Sequence, residues 1–115
     1  MNIVKCLDIC EKLEWEVIET YSDYQYELSK YSPAGEDYSF GVSAKDAHAF
    51  VERVKEEAAY FDPEDHVYDM LNAKRNGLEG VPGLFELVDD AKAIDEMLRD
   101  LACALQKAED EEGVK

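Results

Sequence analysis

A chain of 115 residues has the length of one domain and enough material for a real hydrophobic core. Apolar residues make up 46% of it, which excludes wholesale disorder, while 28 acids against 12 bases leave a formal charge of −16. That sign is the wrong one for direct nucleic-acid binding or for docking on an anionic membrane, so neither is expected.

The opening "MNIVKCLDICEKLEW" places Ile3, Val4, Leu7, Cys10 and Leu13 at helical spacing, with Lys5, Asp8, Glu11 and Lys12 between them. Its acids rule out a signal peptide, and no apolar run approaches a membrane span, so a cytoplasmic location is expected. Three cysteines cannot all pair within one chain, which agrees with a reducing compartment.

Residues 14–21 follow as a strand, Trp15, Val17 and Tyr21 alternating with Glu14, Glu16 and Thr20. Ser22 and Asp23 supply turn chemistry. In "YQYELSKY", Tyr24, Tyr26 and Leu28 take one side and Gln25, Glu27 and Ser29 the other. Pro33 and Gly35 shape the next turn, after which Tyr38, Phe40 and Val42 alternate with Ser39, Gly41 and Ser43. Three strands on short links read as an antiparallel meander.

Ser43 then reads as a helix N-cap with Asp46 completing a capping box. The helix carries Ala47, Phe50, Val51, Val54, Ala58 and Phe61 on one stripe. Asp62 caps the next helix, Pro63 takes its first position, and Val67, Met70, Leu71 and Lys74 fall in line. "NGLEGVPG" ends it. The last helix, over 84–109, holds Leu84, Leu87, Ala91, Ile94, Leu98, Leu101 and Leu105 at spacings of three and four. That heptad-like seam packs either on the protein's own core or on a second copy, so monomer and homodimer both stay open. Residues 109–115 read as a short acidic tail. The expected fold is α+β in the order αβββααα, one domain over 1–115, with helices packed on one face of a three-stranded antiparallel sheet.

Motifs for chemistry are sparse. Cys6 and Cys10 lie four apart on a helix, but they read better as small buried hydrophobes than as metal ligands, since no C-x-x-C or H-x-x-x-H pattern supports them. His66 stands beside Glu64, Asp65 and Asp69, yet no nucleophile motif accompanies it. The carboxylate pairs Glu36–Asp37, Asp89–Asp90 and Asp95–Glu96 lack the basic surface with which nucleases hold a substrate. No enzymatic activity, no cofactor and no metal is expected.

What stands out is surface charge with tyrosine. Residues 1–31 hold 7 acids and 3 bases, 32–75 hold 10 and 5, and 76–115 hold 11 and 4, so the acidity belongs to the whole surface. Tyr31 falls out of phase with Leu28, among Glu27, Glu36 and Asp37, where an amphipathic ring suits a protein interface. The competing explanation is solubility together with the sheet preference of tyrosine.

The runs "YELSKYSPAGEDYSFGV" and "ELVDDAKAIDEMLRDLACAL" resemble small acidic proteins of Gram-positive mobile elements and phages, a group that includes anti-CRISPR and antirestriction inhibitors. The resemblance implies a stoichiometric inhibitor of a defence nuclease such as Cas9, occupying its positively charged channel and blocking guide RNA or DNA. Carboxylates would then stand in for phosphates. The expected contacts are Glu14, Glu16, Asp23, Glu27, Glu36 and Asp37, with Tyr31 as anchor, and a second surface of Asp89, Asp90, Asp95 and Glu96. The alternative is a non-catalytic adaptor that self-associates through the last helix.

Overall fold

The computed structural model describes residues 1–20, 25–33, 35–75 and 84–113. The expected turn at Ser22 and Asp23, the strand positions Tyr21 and Tyr24, and the breaker "NGLEGVPG" lie outside them. The element order is α1 (Ile3–Lys12), β1 (Glu16–Glu19), β2 (Tyr26–Tyr31), β3 (Asp37–Val42), α2 (Ala47–Tyr60), α3 (Pro63–Arg75) and α4 (Leu84–Gly113). The fold is thus α+β in the expected order.

α1 starts at Asn2, whose side chain accepts from the Lys5 N–H at 2.9 Å. Its buried centre is Cys6 and Cys10, both fully buried, with Ile3, Leu7 and Leu13 beside them. Helical spacing places Val4 on the apolar stripe, but it is 72% exposed, because the buried face centres on the 6/10 pair. Burial, the largest effect in both cases, pushes the Cys6 thiol up to about 11 and the Cys10 thiol up to about 12.

The helix ends in a left-handed cap. Glu14 takes φ +69, its N–H donates to Glu11 O at 2.9 Å, and the Trp15 N–H reaches back to Cys10 O at 2.9 Å. This is the Schellman pairing, with glutamate where glycine is usual and buried Trp15 and Cys10 at the positions of its hydrophobic contact. Lys30 Nζ donates to Leu13 O at 2.7 Å and satisfies another end carbonyl. Glu14 therefore belongs to the cap rather than to the strand, which begins at Glu16.

The sheet order is β1-β2-β3, antiparallel throughout. Val17 lies opposite Leu28, and Leu28 opposite Phe40; Tyr26 lies opposite Val42. These residues form the inner face, where Trp15 meets Phe40 edge-on at 5.7 Å between centroids. α1, α2 and α4 contribute Cys6, Cys10, Phe50, Val51, Val54, Ile94, Leu98, Leu101 and Leu105 to the same core. Tyr26 and Tyr38 are half-buried at its rim.

α2 is capped by Asp46, which accepts from the Ala49 N–H at 2.8 Å, not by Ser43 as expected. The helix starts later because Ala44 is buried and its N–H is engaged by Gln25 Oε1 at 3.2 Å. Asp62 Oδ1 accepts from the Glu64 N–H at 2.9 Å at the start of α3. In α4 the seam Ala91, Ile94, Leu98, Leu101 and Leu105 is fully buried in the protein's own core, with Leu87 buried beyond it. Residues 109–113, read as a tail, continue this helix. Among the described residues no helix is long and apolar enough to cross a membrane.

Candidate partner-binding face

Strand alternation turns every second residue of the sheet away from the face that meets the described helices. Glu16 lies opposite Ser29 and Ser29 opposite Ser39; Ile18 lies opposite Glu27 and Glu27 opposite Gly41; Tyr31 lies opposite Asp37. This register brings Glu16, Glu27, Tyr31 and Asp37, four of the expected contacts, to one side. Tyr31 is 67% exposed. Ile18, 38% exposed, adds an apolar patch that the sequence reading did not single out. Ser29 is buried here, and its hydroxyl is satisfied by donating to the Asp37 carboxylate on the neighbouring strand.

Tyr31, at the end of β2, also lines a groove of about 320 Å³ between that strand end and α4, together with Lys30, Ser32, Pro33, Ala93, Glu96, Met97 and Asp100. Glu96 and Asp100 are one helical turn apart, so their like charges face the same way, a mildly unfavourable pairing that a cation relieves. Lys30 cannot be that cation without leaving Leu13 O. Asp100 was missed in the sequence, although its i+4 spacing from Glu96 was a usable signal. The sheet residue Tyr31 and the α4 residue Glu96, expected on separate surfaces, line one groove.

The remaining expected contacts go elsewhere. Glu14 is exposed but held in the α1 cap. Asp23 lies outside the described residues. Glu36 turns inward: its carboxylate meets His66 Nε2 at 2.9 and 3.0 Å, and both side chains are largely buried. His66 in turn packs on Phe61 and Tyr38, with centroids 5.4 and 6.4 Å away. Tyr38 donates to Glu57 Oε1 at 2.6 Å; burial first, then this bond, pushes its phenol up. The acids beside His66 in sequence are thus not its partners. On α4, Asp89 and Glu96 are exposed, whereas Asp90 is buried and Asp95 pairs with Arg99 at 3.0 Å, so these four do not make one surface.

The paired carboxylates of the sequence do not gather into a metal cluster. Among the described residues one group with ligand geometry occurs, His48, Glu52 and Glu109, away from this face between α2 and α4. Compared with known proteins, the chain matches no family model, no curated protein and no solved structure.

Proposed function

We propose that the protein is an anti-defence inhibitor of the anti-CRISPR kind. It covers a basic nucleic-acid-binding groove of a bacterial nuclease such as Cas9 and thereby blocks guide RNA or DNA engagement. The observation that carries this reading is the convergence of Glu16, Glu27 and Asp37 with exposed Tyr31 on the outward side of the sheet, Tyr31 also lining, with Glu96 and Asp100, the groove at the end of β2.

The hydrogen-bonded sheet fixes the backbone beneath these carboxylates, so only side-chain ordering is lost when they meet a basic channel. The surplus of acids over the whole chain attracts a basic partner at long range and speeds encounter, an effect that salt weakens. The groove has the chemistry to seat a guanidinium, with an aromatic ring on one wall and two carboxylates on the other. The α4 seam is buried in the protein's own core, which favours this reading over an adaptor that self-associates through that helix.

The direct experiment measures binding to purified Cas9, with and without guide RNA, over a series of salt concentrations. Expected is binding to the free enzyme that falls with salt and is displaced by guide RNA or target DNA. Absence of binding at low salt overturns the proposal, as does binding that is indifferent to the double variant Glu16→Lys/Glu27→Lys.

A further inference from the structure

α2 and α4 pack side by side in the core, and their solvent edges carry three groups that the face described above does not use. His48 and Glu52 are one turn apart on α2, and Glu109 stands opposite on α4. Both Glu109 oxygens lie near His48 Nδ1, at 3.2 and 3.1 Å. One ligand atom from each of the three residues falls within 4.8 Å of the others. Two ligands bound to a tetrahedral zinc are about 3.3 Å apart, given zinc–ligand distances of about 2.0–2.1 Å. The His48–Glu109 pair already has that separation, and Glu52, within 4.8 Å, now meets Lys55 at 3.3 Å and has to leave it to take a ligand position.

We propose that His48, Glu52 and Glu109 form a Zn²⁺ site that clips the start of α2 to the end of α4. Three features support a cation of this class. Two carboxylates neutralise a divalent charge, and the imidazole discriminates zinc from magnesium or calcium, which prefer oxygen ligands alone. Glu109 lies about one turn before the end of α4 at Gly113, where helix carbonyls present negative potential. Both helices are anchored by fully buried residues, Val51 and Val54 on one and Leu101 and Leu105 on the other, so the donors sit on a rigid frame. The third helix-borne thiol, Cys103, is exposed and is itself a zinc ligand type, so it has to be removed for a clean reading.

The test uses the full chain carrying Cys103→Ser, freed of metal and titrated with Zn²⁺ alone by calorimetry and with Co²⁺ alone by visible absorption. Expected are one equivalent of zinc, a cobalt spectrum of tetrahedral type, and a melting temperature that rises with zinc. His48→Ala and Glu109→Gln, both at sites near solvent, should weaken binding by at least about tenfold while circular dichroism stays unchanged. Several weak equivalents unaffected by His48→Ala, or an equal response to Mg²⁺, would show mere attraction to an acidic surface and overturn the proposal.

Discussion

The Glu36 carboxylate and the His66 imidazole meet at 2.9 Å across thirty residues of sequence, tying the β2–β3 hairpin to the first turns of α3. A glutamate at a hairpin tip reads as a solvated charge, but here it is a structural partner. His66→Ala should lower stability by about 1–3 kcal/mol, because it strands a largely buried carboxylate and removes ring packing on Phe61 and Tyr38. His66→Gln, which keeps a donor, should lose less. Urea denaturation of the two variants decides; an unchanged midpoint for His66→Ala would show that the contact is idle.

Tyr31 has the opposite character, with most of its ring in solvent. Tyr31→Ala should leave stability within about 0.5 kcal/mol of the parent and weaken binding to the basic partner by roughly tenfold or more. Equal affinity of parent and variant would remove the ring from the interface.

Leu98 tests the seam of α4. It is fully buried, so Leu98→Ala should cost about 2–5 kcal/mol through lost packing and a residual cavity. The association state by light scattering should not change. A folded variant that loses only a dimer would contradict the placement of this seam in the protein's own core.

Glu14 holds a positive φ that side chains adopt at a cost. Glu14→Gly should therefore keep stability or raise it by up to about 1 kcal/mol, whereas Glu14→Val should lower it by about 1–2 kcal/mol. Thermal melts of both compare directly. Equal destabilisation by glycine and valine would mean that the glutamate side chain, not its backbone, matters.

Hydrogen bonds from Lys5 and from the amino terminus hold the Glu112 carboxyl down at about 2, against an ordinary 4.5. A group depressed on folding contributes stability above its ordinary value and loses it as pH falls through the folded value. Glu112→Gln should thus be less stable than the parent near neutral pH, and the gap should close between about pH 4.5 and 2. Added salt should narrow it, because the cluster lies near solvent. A gap that is constant with pH would mean that Glu112 acts through shape alone.

Period-2 and period-3.6 patterns determined most of the architecture without any tertiary information. Tyr38, Phe40 and Val42 marked β3, and Leu87 through Leu105 marked the core stripe of α4, because burying one face is a local requirement repeated along the chain. The element order followed, and with it the side of the sheet on which Glu16 and Glu27 stand. Three things were decided only by folding. Local cap chemistry at Ser43 was overridden when Ala44 was drawn into the core and Asp46 took the cap. Glu36 looked like any other surface acid until α3 brought His66 to it. The groove joining Tyr31 to Glu96 and Asp100, and the meeting of His48 with Glu109, depend on where α4 lies across β2 and α2. Side-chain periodicity is written residue by residue, whereas the pairing of charges far apart in sequence exists only once the core has set the distances between elements.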